Sequence, residues 1–188
     1  MKSLLGVLSL TLLLLSCAPK VERACGSARE VLDTYTLRKV PENFRIYGTF
    51  KYGPVKLPML LAKFDSFYTV RVARTQNVRI ERDRLCVEGK CYLLPVAPED
   101  LIFGRVLSGR EYSFCRGKLL MFRERMGVYE KLVIFEGGKL REMVIRNVRK
   151  KKSFKITFGD VREGGFFGEL VFEMDGKRVK LLIEEVEI

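Results

Sequence analysis

Glu169-Leu-Val-Phe-Glu-Met-Asp-Gly-Lys-Arg-Val-Lys-Leu-Leu-Ile183 is the stretch whose reading decides the fold. Leu170, Phe172 and Met174 alternate with Glu169, Val171 and Glu173. Successive side chains of a strand point to opposite faces, so this period of two predicts a strand with one apolar face. Asp175-Gly176 is a type I′ hairpin signal, because both central residues of that turn need positive φ. Val179, Leu181 and Ile183 then line the returning strand, and Glu184-Glu185 breaks the phase, which predicts a bulge.

The same pattern extends upstream. Phe154, Ile156 and Phe158 alternate with Lys155 and Thr157; Met143 and Ile145 share a face; Gly137-Gly138 marks a hairpin turn; Leu132 and Ile134 lie in one strand, and Leu119 and Met121 in another. In the first half, Phe44, Ile46, Gly48, Phe50 and Tyr52 alternate with Arg45, Tyr47, Thr49 and Lys51. Gly53-Pro54 turns the chain, and Leu57, Met59 and Leu61 follow. Tyr68, Val70 and Val72 form the next strand, and Asn77–Glu81 and a hairpin at Cys86 and Cys91 continue the meander.

Two stretches change period. From about Val21 to Tyr35, apolar residues recur at steps of three and four, as a helix requires. Pro98-Glu99-Asp100 opens a second helical stretch, Leu101 to Leu107, with Gly109 as its stop. Acidic residues in a first turn complement the helix dipole. Leu101, Ile102 and Phe103 are adjacent, so at least one is expected to face away from the sheet. The expected fold is mainly β (α+β): an incomplete antiparallel β-barrel of about ten strands, with the N-terminal and mid-chain helices as its lid. A sheet with one wet face suits a meander curled round a helical plug or a ligand.

The N-terminus carries a different signal. Lys2 precedes an apolar run from Leu4 to Leu15, too short for a bilayer of ~30 Å, which needs about 20 apolar residues. Its length and flanks fit a secretory signal. The run ends at Leu14-Leu15-Ser16-Cys17, which resembles the bacterial lipobox. That resemblance implies cleavage before Cys17 and a mature N-terminal cysteine carrying a diacylglycerol thioether and an N-acyl group such as palmitate. The alternative is an ordinary signal with a Cys there by chance. Each buried CH₂ contributes roughly 0.8 kcal/mol, so two or more chains anchor a protein stably. Ala18 is not the Asp that favours inner-membrane retention, which by analogy with bacterial sorting points to the periplasmic face of the outer membrane. The expected organisation is a signal over 1–16, a lipidated tether over 17–21 and one folded domain over 22–188.

The mature chain is long enough for one domain with a real core. Of the 188 residues of the full sequence 47% are hydrophobic and 31% charged, the balance of a folded protein. There are no His and no Trp, and Asn43, Gln76, Asn77 and Asn147 are the only side-chain amides. Few amides and many charges resemble a thermophile composition. A formal charge of +12 raises the question of nucleic acid, but an exported lipoprotein does not meet it. Lipid head groups, lipopolysaccharide phosphates or an acidic protein are the acidic partners left, beside a merely solvated basic surface.

Cys25, Cys86, Cys91 and Cys115 remain besides Cys17, and an even number in an exported chain suggests disulfides. With Glu88-Gly89 as a two-residue turn, Cys86 and Cys91 become a non-hydrogen-bonded pair with Cα atoms ~4.5 Å apart, at the short end of the disulfide range. Cys25 with Cys115 follows by elimination; the alternative is four reduced, buried thiols. A metal site is not expected, since the spacing is not C-x₂-C and no His is available.

The order of elements, with Pro98-Glu-Asp-Leu-Ile-Phe-Gly-Arg-Val-Leu-Ser-Gly109 and the terminal strand from Lys177 to Ile188 as its strongest parts, resembles the LolA/LolB-like superfamily, including LolB-type outer-membrane lipoproteins. The resemblance implies a half-open barrel with helices as a lid over an apolar cavity that takes the acyl chains of lipoproteins. One departure stands out. LolB carries a protruding loop with an exposed leucine between two early strands, whereas Arg74-Thr75-Gln76-Asn77 is short and polar.

Candidate cavity-lining residues are Ile46, Phe50, Leu61, Val70, Val72, Leu101, Phe103, Leu170, Phe172, Leu181 and Ile183. The same positions would form the packed core of any half-buried sheet. Arg149, Lys150, Lys151 and Lys152 at a predicted turn could contact anionic head groups, or could be a solvated loop that discourages edge pairing. Catalysis has little to work with: His, the commonest general base, is absent, and Glu184 and Glu185 sit on opposite strand faces. No cofactor is expected. The sequence reads as a monomeric lipid- or lipoprotein-handling protein, or alternatively as an envelope lipoprotein with a filled core.

Overall fold

The computed structural model describes residues 26–65, 67–73, 76–81, 84–87, 90–93 and 96–188, with the backbone alone described between 76 and 93. Cys17, Cys25 and the whole signal-like segment lie outside these residues. The first helix, α1 (Ala28–Thr36), is capped by Ser27, whose hydroxyl accepts a hydrogen bond from the Glu30 N–H at 3.2 Å. Ser27-x-x-Glu30 is a capping signature, and it places the helix start later than the apolar periodicity alone did. Val31 and Tyr35, one turn apart, are the buried face. The Tyr35 ring meets Phe135 edge-on at 4.8 Å, and its hydroxyl accepts from the Leu140 N–H at 3.2 Å.

Thirteen antiparallel strands follow among the described residues: β1 (Phe44–Tyr52), β2 (Val55–Phe64), β3 (Phe67–Val72), β4 (Gln76–Glu81), β5 (Arg84–Val87), β6 (Lys90–Leu93), then β7 (Tyr112–Arg116), β8 (Leu119–Met126), β9 (Tyr129–Glu136), β10 (Lys139–Asn147), β11 (Lys152–Phe158), β12 (Glu169–Met174) and β13 (Lys177–Glu187). They form one open sheet in the order β6-β5-β4-β3-β2-β1-β13-β12-β11-β10-β9-β8-β7. The count exceeds the expected ten because the segments between Asn77 and Cys91 resolve into separate short strands, and Tyr112–Arg116 adds an edge. Asp175 and Gly176 both have positive φ (49° and 75°), as the hairpin signal required.

The order describes two meanders joined by one long-range pairing. β1 to β6 form the first, β7 to β13 the second, and β1 pairs with β13 between them. That pairing contains the expected bulge. Tyr47 opposes Glu185 and Gly48 opposes Ile183, so Glu184 is the extra residue. A Cβ on Gly48 would lie 2.2 Å from the Leu182 carbonyl oxygen, which is why this strand carries a glycine there.

β6 and β7, the two edges of the sheet among the described residues, are joined through a connection that includes residues 96–111. The connection therefore has to travel from one edge to the other, and it does so over the concave face. The short helix α2 (Pro98–Phe103) forms part of it. α2 ends at Gly104 in the left-handed conformation (φ 77°) rather than running on to Leu107 and Gly109. The Phe167 N–H donates to the Ile102 carbonyl at 2.9 Å, and a Cβ at Gly104 would lie 2.8 Å from the Phe167 ring. The turn uses glycine's freedom at positive φ, and Arg38 and Phe167, both distant in sequence, crowd the same position. Ile102 and Phe103 are buried and Leu101 half-buried, so none of the three points to solvent, contrary to expectation. A one-and-a-half-turn helix pressed into a curved sheet has more than one buried side.

The core lies between the concave face and α1, α2 and the loop carrying Phe166 and Phe167. These elements cover one end of the strands only. On β1, Ile46 is 0% exposed whereas Tyr52 at the far end is 45% exposed; on β12, Leu170 is 1% and Met174 52% exposed.

Candidate functional site

α2 roofs a small cleft over the middle of the concave face. Met59 and Leu61 of β2, Val70 of β3, Leu170 and Phe172 of β12 and Leu181 of β13 form its floor and walls; Pro98, Leu101 and Ile102 form the roof. Every lining side chain is apolar, and the space is about 100 Å³. The lining follows from register. Val70 opposes Leu61, and Leu170 opposes Leu181, so inward positions of neighbouring strands lie side by side.

The structure brings Leu61, Val70, Leu101, Leu170, Phe172 and Leu181 of the expected residues together here. It places Ile46, Ile183 and Phe103 in the closed core beside the cleft; Phe103 packs edge-on against Phe44 at 5.5 Å. Phe50 and Val72 are half-buried on the same inward face without lining the cleft. Met59, Pro98 and Ile102 were not anticipated as lining. Met59 was legible from the alternation with Leu57 and Leu61; the other two depend on how α2 crosses the sheet.

α2 is tied down at several points. Lys63 Nζ lies 3.2 Å from Glu99 Oε1 in a pair that is nearly dry. Burial raises the Tyr68 hydroxyl well above its usual range, and the neighbouring Glu99 carboxylate pushes in the same direction. Asp100 is raised by burial, which outweighs the opposing pull of Arg105 at 2.7 Å. Beyond Gly104, residues 105–111 form a strap that Lys131 holds. Its Nζ is 2.8 Å from Glu111 Oε1 and 2.8 Å from Glu124 Oε2, and it donates to the Val106 carbonyl at 3.0 Å. Burial works to raise the Glu111 carboxyl, but hydrogen bonds from Lys131 and the Ser108 N–H overcome it and hold it below its ordinary range. The sequence signal for this cluster was present but unread: Lys131 falls in phase with inward Val133 and Phe135, and Glu124 lies directly across from it.

Two larger hollows have charged residues along their borders. One of about 500 Å³ is bordered by Lys155, Glu173, Asp175, Lys177 and Arg178, and one of about 410 Å³ by Asp100, Arg105, Arg110, Glu124 and Lys131. Among the described residues no group of three or more His, Cys, Asp or Glu could hold a metal ion. Among them, too, no helix is long and apolar enough to cross a membrane. Arg149–Lys151 occupy the turn between β10 and β11 and Lys152 begins β11, all exposed. The connection after β3 is shorter than Arg74–Asn77, because Gln76 and Asn77 already pair with Val72 and Arg71. Cys86 and Cys91 are Cα partners in the register of β5 and β6. Cys115 is disulfide-bonded.

The fold is similar to that of a solved structure. The LolA superfamily protein NE2245 from Nitrosomonas europaea superposes with a TM-score of 0.53 at 10% identity, over 87% of this chain and 94% of that one. The chain has the LolA-superfamily fold. A domain from Vibrio parahaemolyticus named for outer membrane lipoprotein sorting shows a TM-score of 0.48 at 9% identity, over 84% of this chain and 90% of that one. No family model and no curated protein matches the sequence. The similarity is therefore one of architecture. In this chain the roof over the concave face is α2 and its strap, pinned by Lys63 and Lys131.

Proposed function

We propose that this protein is an envelope lipoprotein that binds acyl chains, free or on a lipoprotein, in the cleft between α2 and the concave face. The all-apolar lining under a short, separately tethered roof is the observation that carries the reading. In this reading Cys17 bears the lipid anchor and holds the domain at the periplasmic face of the outer membrane. Cys86 and Cys91 form a disulfide across the β5–β6 hairpin, and Cys115 pairs with Cys25. The role is one of binding rather than catalysis, with the chain acting as a monomer.

A small-molecule site ordinarily occupies at least ~300 Å³, so the cleft of about 100 Å³ is the closed state. Loading requires α2 to lift from Met59, Leu61 and Phe172, exposing apolar area at roughly 25 cal/mol per Å². An entering chain restores that burial. The same small volume favours a second reading, a structural or interaction lipoprotein whose concave face stays filled.

Fluorescent fatty-acid titration separates the two. Saturable binding that is abolished by Val70→Asp or Phe172→Asp, with unfolding still cooperative, supports the acyl-chain reading. Absence of saturable binding to the wild-type chain supports the filled core. Native mass spectrometry of the purified protein adds an independent readout, since co-purified lipid appears as a discrete mass increment.

A further inference from the structure

We propose that the uncovered end of the sheet is a docking surface for an anionic phospholipid bilayer. Three hairpin turns lie next to one another at this end, because β2-β1, β13-β12 and β11-β10 are consecutive in the sheet. At a strand spacing of ~4.8 Å the six strands span about 24 Å, a footprint of several head groups. Lys152 Nζ bridges two of these hairpins through Asp175 Oδ2 at 2.9 Å.

Two properties coincide along this rim. First, large apolar side chains stand in water: Tyr52, Val55, Val148 and Met174 are all more than 40% exposed. Tyr52, Val55 and Met174 continue the inward alternation of their strands past the point where the helices stop covering it. Second, the hairpins 51–56, 147–152 and 173–178 carry eight cations, Lys51, Lys56, Arg149, Lys150, Lys151, Lys152, Lys177 and Arg178, against two carboxylates. Both carboxylates are already engaged, Asp175 with Lys152 and Glu173 with Lys155 at 2.8 Å and Arg178 at 3.6 Å. A purely solvated basic loop has no use for exposed apolar neighbours, and an apolar patch meant for another protein core would not be ringed by cations. Shallow apolar insertion combined with a surplus of positive charge is the chemistry of an anionic membrane surface. The docking does not depend on the cleft ever opening, but it would present the open end of the concave face to the lipid.

The test uses the whole chain with Cys17→Ser, so that no acyl anchor contributes, and sedimentation with phosphatidylcholine vesicles with and without phosphatidylglycerol. Binding is expected only with phosphatidylglycerol and should weaken as salt is raised. Each cation near the surface changes partitioning about fivefold, so Arg149→Ser, Lys150→Ser and Lys151→Ser together should weaken it about a hundredfold. A matched urea midpoint shows that the triple variant is folded. Equal binding to both vesicle types, no binding to either, or undiminished binding of the triple variant overturns the proposal. Because fatty-acid titration of Val70→Asp reads the cleft alone, failure of docking and failure of the acyl-chain reading remain distinguishable.

Discussion

The two ends of the concave face are made of the same kind of strand and end in opposite environments. At the covered end, Ile46, Phe135, Ile156 and Ile183 are buried under α1, α2 and the Phe166-Phe167 loop. At the other, Tyr52, Val55 and Met174 occupy the same phase of the same alternation and remain largely in water. Period two tells which side a residue is on, not whether anything lies over it. Cover is supplied here by segments that are distant in sequence, above all residues 96–111. The difference therefore separates residues that carry stability from residues left available for contact.

The covered end should respond most strongly to truncation. Phe135 is fully buried, edge-on to both Tyr35 and Phe122. Phe135→Ala is expected to cost about 3–5 kcal/mol, read from the shift in urea midpoint at unchanged m-value. A cost near zero would mean that α1 does not pack as described.

The strap comes next. Lys131→Met removes the cation that Glu111 and Glu124 share; Glu124 keeps Arg110 at 3.2 Å, and Glu111 is left with backbone N–H donors alone. Breaking a buried charge cluster on one side costs about 3–5 kcal/mol at neutral pH. Part of that loss should return in acid, because the buried Glu111 carboxyl, left without a cation, binds a proton more tightly in the folded state. The wild type should show the opposite sign at Glu111. Its carboxyl is held below the ordinary value of 4.5. Its contribution is thus present above that value and lost as pH falls through the lower, folded one. Asp100, which is raised, runs the other way and offsets some of this slope. Glu111→Gln should flatten acid destabilisation, measured as urea midpoint against pH; an unchanged slope would remove Glu111 from the strap.

What was legible in the sequence follows the same division. Alternation, Asp175-Gly176 and Glu184-Glu185 sufficed for the meander, its hairpins and the bulge, because these are set by neighbours in the chain. The end of α2 was misplaced because Gly109 was read as the stop, although Gly104, a glycine in the left-handed C-terminal position, is a local stop signal as well. Five of the lining residues, Leu61, Val70, Leu170, Phe172 and Leu181, could be named from strand phase alone. Ile46 and Ile183 share that phase and are closed off, and Phe103 of α2 is closed off against Phe44, since these positions depend on tertiary cover. Lys131 was passed over because a lysine at an inward position looks like an interruption of the pattern until its two carboxylates are seen.

The smallest expected effect on stability falls at the open end. Met174 is paired across from Phe154 and Lys177, next to the β12–β13 turn, and half of its surface already meets water. Met174→Ser therefore removes little buried area, and surface changes of this kind stay within about 0.5 kcal/mol. Leu170→Ala, on the same face of the same strand, is expected to cost about 2–5 kcal/mol. The pair tests the comparison directly, since only position along the strand distinguishes the two sites. Met174→Ser should, however, weaken binding to phosphatidylglycerol vesicles while leaving the urea midpoint in place, because its apolar surface then has a use outside the fold. If instead it unfolds the domain as readily as Leu170→Ala, the open end is covered in solution and the contrast between the two ends fails.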